Sequence, residues 1–320
     1  MKIVTFYSYK GGVGRSLFVA NLSLFLARFA AKKVLTVDFD LEAPGLHYKY
    51  EATGVTVPPI EAGLVDTLHD YLFAEEPPAT LPILDLWKGP DGGSVHFFPA
   101  GVAPRTVYWD KLAKMDFHDL MRGEEGIGSL LFREVLEHIR EQLAPDVVLV
   151  DARTGVTELG GAAAQIWAQE VLCLTLDQKE HLEGTRAVMR GIARHERTDG
   201  KGLIKVVPVL SRMHTVFGSP EEDAARERVR EYLNAMGPSV EETLSIEAGE
   251  DIVVLHNDDD VYRTGLVLMG DALEGAVRPS RLLSDYFTAG LGLVDPAEHA
   301  DVWGRIFAVG KGGQEPLSAR

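Results

Sequence analysis

Cysteine is nearly absent: Cys173 is the single one in 320 residues. An intrachain disulfide is therefore excluded, and a zinc cage of the usual ligand composition has nothing to build on. Cys173 itself lies in the apolar run Val171-Leu172-Cys173-Leu174, the setting of a small buried side chain. Long hydrophobic runs are missing too. None reaches the roughly 18 residues that cross a bilayer, and the opening Met1-Lys2-Ile3-Val4-Thr5-Phe6 is interrupted too soon for a signal peptide. A cytoplasmic protein is the expectation. Positive charge is scarce: 32 Lys and Arg stand against 48 Asp and Glu, a net of −16, and no Lys/Arg run exceeds two residues. Such a surface repels phosphate backbones and anionic lipid heads, so neither nucleic acid nor membrane is expected as a partner. Internal repeats and low-complexity tracts are also lacking.

Hydrophobic residues make up 46% and charged residues 25%, which is globular rather than disordered. Short runs of Val, Ile, Leu and Phe recur at Ile3–Tyr7, Val34–Val37, Val95–Phe98, Val147–Val150, Val171–Thr175, Ile204–Leu210 and Ile252–Leu255. They are continuous rather than alternating, as strands buried on both faces require. Between them, helical spacing marks Ser16–Ala30, Leu64–Phe73, Ile127–Leu143, Glu180–His195 and Glu221–Met236. Regular strand–helix succession predicts an α/β fold, a doubly wound and mainly parallel sheet with helices on both faces. The first helix is apolar on nearly every side and belongs in the centre of the domain. The proline-rich Glu75–Pro82 and the segment Gly89-Pro90-Asp91-Gly92-Gly93 are surface loops. Residues 1–320 are expected to form one domain, with 272–320 as a C-terminal helical extension.

Between the first strand and that buried helix stands Tyr9-Lys10-Gly11-Gly12-Val13-Gly14-Arg15-Ser16. Successive glycines let backbone N–H groups turn inward around an anion, and a helix N-terminus adds its positive dipole end. The nucleotide-binding candidates are thus Lys10, Gly11, Gly12, Val13, Gly14, Arg15, Ser16 and Leu17. Ser16 offers a hydroxyl to Mg²⁺, and Arg15 a cation to the β- and γ-phosphates.

Two further strands end in carboxylates. Asp38 and Asp40 follow Val34–Val37, and alternation puts them on one side of the chain at a strand's C-terminal end. Such a pair suits Mg²⁺ through its waters, with an oxygen left to orient an attacking water. Asp151 ends Val147–Val150 and is a second candidate for the metal. For Arg153, just beyond it, two readings stand: a phosphate sensor or a partner for a nearby carboxylate.

The run Lys10–Ser16 resembles the deviant Walker A loop, K-G-G-x-G-K-S/T, of the MinD/ParA family of P-loop ATPases. Arginine at the second cationic position and the opening Thr5-Phe6-Tyr7-Ser8-Tyr9-Lys10 are similar to a bacterial subgroup of that family. Asp38-Phe39-Asp40 resembles the family's D-x-D switch I motif, and its continuation through Pro44-Gly45 is similar to a motif of bacterial tyrosine kinases. The segment Asp146–Asp151 resembles a Walker B strand. The resemblance runs from Met1 to about Asp271. It implies an ATPase that binds ATP and Mg²⁺, forms a homodimer on ATP and acts on a regulatory or effector protein. Lys10 would reach the partner's ATP phosphates, and Lys10, Arg15 and Asp40 would carry the catalysis. Two departures stand out: Tyr9 replaces the first Walker A glycine, and Arg15 replaces the second lysine. Arginine keeps the charge but is longer and forked.

Weaker signals follow. Arg212, after Val207–Leu210, is placed to stack on an adenine base, or is an ordinary strand-end cation. His256–Asp260 is expected to be a solvated acidic turn. Val302, Trp303, Ile306 and Phe307 recur at helical spacing, but Glu298, Asp301, Arg305 and Lys311 form no basic face for a membrane. Docking onto the domain itself or onto a partner protein is expected instead. The tail Gln314–Arg320 has no tyrosine, unlike the related kinases.

Overall fold

The computed structural model describes residues 1–52, 55–122, 127–197, 199–235, 252–259 and 282–312. The chain begins with β1 (Lys2–Ser8), α1 (Arg15–Phe29), β2 (Lys33–Phe39), the short α2 (Leu46–Glu51) and α3 (Leu64–Phe73). It continues through β3 (Leu84–Lys88), β4 (Ser94–Phe98), α4 (Thr106–Lys114), α5 (Phe117–Arg122), α6 (Ile127–Leu143) and β5 (Val147–Ala152). One turn of α7 (Glu158–Gly161) runs into a π-helical stretch, Ala162–Trp167. Then come β6 (Glu170–Thr175), α8 (Lys179–Ile192), β7 (Lys205–Met213), α9 (Pro220–Asn234), β8 (Val253–His256), α10 (Leu282–Leu291) and α11 (His299–Gly312).

The eight strands form one sheet in the order β3-β4-β2-β5-β1-β6-β7-β8, parallel throughout except for β3. β4, β5 and β6 are buried along their whole length and β1 from Ile3 onward, as continuous apolar runs demand. Two cores lie on opposite faces. One packs α3, α6, the π-helical stretch, α8 and α9 on the sheet; the other packs α1, α2, α10 and Val302 of α11. The doubly wound architecture is thus as the sequence predicts.

Seven strands coincide with the expected runs within a residue or three. The eighth, β3, breaks its apolar residues with Asp85 and Lys88 and sits antiparallel at the sheet edge. A chain of contacts fixes it there: Ser94 Oγ lies 2.9 Å from His96 Nε2, and His96 Nδ1 lies 2.6 Å from Asp85 Oδ1. The residue types are those of a hydrolytic triad, but Ser94 is buried below the surface, and the cluster works as a strand clasp.

His256 does not open a solvated turn. It is buried at the end of β8, with Nδ1 3.0 Å from Asp285 and Nε2 3.0 Å from Glu222, joining β8 to α10 and α9. Asp260, the boundary at 271/272, Met236 and Gln314–Arg320 lie outside the described residues. At the C-terminus, α10 lies along α1, with Phe18 stacked on Tyr286 and with Phe25 and Phe29 against Phe287. Arg305 of α11 donates to the Phe29 carbonyl at 3.1 Å. No helix among the described residues is long and apolar enough to cross a membrane.

Candidate functional site

Strand register assembles the acidic half of the site. β2 and β5 are neighbours with Asp38 opposite Asp151, and β5 sets Asp151 opposite Phe6 of β1. Both carboxylates therefore leave the same C-terminal edge of the sheet, where doubly wound folds bind ligands. Each is only 1% exposed. Asp38 Oδ2 accepts the N–H groups of Gly45 and Leu46 at 3.0 and 3.1 Å, which starts α2. Its Oδ1 is buried with no hydrogen-bond partner among the described residues. Burial, and after it the charge of Asp151, pushes the Asp38 carboxyl well above the usual carboxylate range. Asp40 follows one residue beyond β2 and is also raised by burial, with Arg15 opposing the shift.

Arg15, the first residue of α1, reaches into this group. Its Nε donates to Asp151 Oδ1 at 2.5 Å, and the two terminal nitrogens donate to Ser8 Oγ and Asp40 Oδ2 at 3.3 Å. Burial opposes its charge, but Asp151, then Asp40 and Asp38, outweigh that and hold the guanidinium protonated. The planar fork explains how one cation spans three acceptors at the ends of three strands, β1, β2 and β5.

The glycine loop forms the other half. Gly12 and Gly14 have φ of +79° and +83°, a conformation that a side chain would strain. A Cβ added at Gly11, Gly12 or Gly14 would stand in open space. Gly14 opens α1 without a side-chain cap, so the first N–H groups of the helix remain available to an anion. Loop, helix start, Asp40, Lys49 and Thr154 enclose a cavity of about 330 Å³. An open cradle, an uncapped helix start, the Ser16 hydroxyl and the orphaned Asp38 oxygen fit a phosphate group with a hard divalent cation.

No family model matches the chain, and no curated protein does. Solved structures do match. The cell division ATPase MinD of Pyrococcus furiosus superposes with a TM-score of 0.56 at 21% identity, over 91% of this chain and 98% of that one. The Pyrococcus horikoshii MinD complexed with Mg-ADP gives 0.57 at 19%, over 94% and 98%. A ParA family ATPase from Chlorobium tepidum gives 0.58 at 15%, over 92% and 98%. The fold is that of the MinD/ParA-type P-loop ATPases.

Within this MinD/ParA fold the remaining candidates are spread around the loop. Ser211 Oγ donates to the Val13 carbonyl at 3.0 Å, and Arg212 Nη1 to the Gly12 carbonyl at 3.2 Å. Arg212, at φ +57°, is thus fastened to the phosphate loop. Arg153 pairs with Glu42, which favours the ion-pair reading of that residue. Lys10 turns the other way, its Nζ 2.8 Å from Glu180 at the start of α8. The register that aligns Asp38 with Asp151 is implicit in the strand pattern. Glu180, Thr154 and Lys49 had no such signal, because each lies on a helix or turn whose place is set by tertiary packing.

Tyr9, the residue standing where the MinD/ParA loop has a glycine, packs its ring against Gly184 of α8. A Cβ at Gly184 would come within 2.0 Å of that ring. Gly184→Ala is favoured by helix propensity by about 1 kcal/mol, but overpacking here costs about 1–3 kcal/mol. A net loss of stability in urea unfolding is expected, and an increase would show that Tyr9 is not seated there.

Proposed function

We propose that this chain is a nucleotide switch: it binds ATP with Mg²⁺, dimerises around it, hydrolyses it slowly and so controls a partner protein. The observation that carries the reading is the open glycine cradle sharing one cavity with Asp40, with buried Asp151 joined to that wall through Arg15. Backbone N–H groups from Gly11 to Leu17 hold the phosphates. Ser16 and, through waters, Asp38 and Asp151 would hold Mg²⁺, which would supply charge neutralisation to the phosphates. Asp40 orients the attacking water. Arg15 faces the phosphates from the carboxylate side, and Arg212 keeps the loop in shape beside the base. Lys10 completes the neighbouring protomer's site. The Mg-ADP complex of the Pyrococcus horikoshii relative supports the choice of nucleotide and metal.

Steady-state ATP hydrolysis across a range of protein concentrations tests this. Turnover per protomer is expected to rise with concentration and to fall by about 100-fold in Asp40→Ala. A wild type no faster than the variant moves the weight to a second reading, a nucleotide-dependent interaction module without useful hydrolysis. The engagement of Arg15 by Asp151 and Asp40 favours that alternative. A positioning or partition role of the ParA kind is opposed by the net charge of −16; a DNA shift that appears at low salt and vanishes with added salt would revive it.

A further inference from the structure

Four side-chain cations surround the phosphate loop, and three of them are engaged. Arg15 is held by Asp151, Asp40 and Ser8, Lys10 by Glu180, and Arg212 by the Gly12 carbonyl. The fourth is Lys49, which lines the same 330 Å³ cavity as Gly11–Leu17, Asp40 and Thr154. It is half-buried and has no ion pair or hydrogen bond among the described residues.

Its position is fixed without the use of its charge. α2 is started by Asp38, whose carboxylate takes the N–H groups of Gly45 and Leu46. Leu46 and Tyr50 are fully buried. The Tyr50 hydroxyl lies 2.8 Å from Ser23 Oγ on α1 and donates to Thr36 Oγ1 on β2 at 3.2 Å. Lys49, between these anchors, is carried to the cavity wall.

We propose that Lys49 is the phosphate-binding cation of this chain, supplied in cis and directed at the terminal phosphate of a nucleoside triphosphate. The inference rests on the nucleotide reading of the cavity. Its argument is one of charge. Arg15 is shared among carboxylates and cannot give its full field to a phosphate, whereas an ammonium that lines the cavity with no partner among the described residues can. A triphosphate brings more negative charge into the cavity than a diphosphate, so Lys49 favours triphosphate over diphosphate. Arginine at position 15 is tolerated because a lysine arrives from α2 instead.

Binding of ATP and ADP, each with Mg²⁺, is measured by calorimetry for the wild type, Lys49→Met and Lys49→Arg. Lys49→Met is expected to weaken ATP by about tenfold or more and ADP by much less, so the ratio of the two affinities falls. Lys49→Arg restores most of the ratio, which a merely structural role would not require. Because the Lys49 side chain makes no hydrogen bond or ion pair among the described residues, both variants are expected to keep the wild-type melting temperature. A wild type that binds both nucleotides, with an unchanged ATP-to-ADP ratio in Lys49→Met, overturns this inference alone. A wild type that binds neither overturns the nucleotide reading and this inference with it.

Discussion

Arg15→Met is expected to lower the stability of the nucleotide-free protein by about 3–5 kcal/mol, the cost of leaving buried charges uncompensated. For a chain of this length that corresponds to a melting temperature lower by about 4–8 °C. The side chains of Arg15 and Asp151 are 8% and 1% exposed, so solvent screens little of the interaction. The sign of the pH dependence follows from the carboxyls. Their folded pKa values are already raised for Asp38 and Asp40, and removing the guanidinium raises them further. Such groups destabilise the fold as carboxylates, above their unfolded pKa, and cease to do so once protonated. The gap between wild type and variant should therefore narrow in mildly acidic buffer. Thermal melting at two pH values checks both parts. Equal melting temperatures at neutral pH would show that the Arg15 ion pairs do not form in solution.

The second large effect concerns assembly. In the proposed switch Lys10 serves the neighbouring protomer, yet in the single chain it is paired with Glu180. Both side chains are substantially exposed, and exposed pairs of flexible side chains hold weakly and are screened by salt. The contact is therefore a resting place that Lys10 leaves readily for a phosphate. Lys10→Ala is expected to abolish ATP-dependent dimerisation while leaving nucleotide binding to the monomer partly intact. Glu180→Gln, which frees the lysine, should give the dimer at the same or lower protein concentration. Sedimentation velocity with and without ATP distinguishes these. A dimer that persists unchanged in Lys10→Ala would sink the role across the interface.

The sequence displays the parts of this molecule whose cause is local. Strands buried on both faces must be apolar throughout, so β1, β2 and β4 to β8 stand out as runs. β3 does not, because it is an edge strand whose Asp85 takes part in a clasp with His96. α2 is invisible for a different reason: its N-terminus is capped by Asp38 seven residues upstream rather than by a neighbour in the sequence. The Ala- and Gly-rich turn from Glu158 to Trp167 has no hydrophobic period to betray a helix. In the site, the glycine loop and the strand-end carboxylates are legible because strand geometry brings such ends together. The partners of each cation are not legible. Arg15 and Asp151 are 136 residues apart, and nothing in either segment names the other.

The two hydrogen bonds from β7 to the carbonyls of Gly12 and Val13 have a consequence for how the loop meets its ligand. A peptide unit is planar and trans, so fixing a carbonyl fixes the next amide in the opposite direction. Ser211 and Arg212 draw the oxygens outward, and the N–H groups of Val13 and Gly14 are thereby set facing away from β7 before any anion arrives. Ordering a residue costs about 1–2 kcal/mol in backbone entropy. For these residues that cost falls on folding rather than on binding. A ligand then keeps more of its contact energy as affinity, and a loop that differs little between empty and filled states leaves conformational change to the segments that carry Lys10, Asp40 and Thr154.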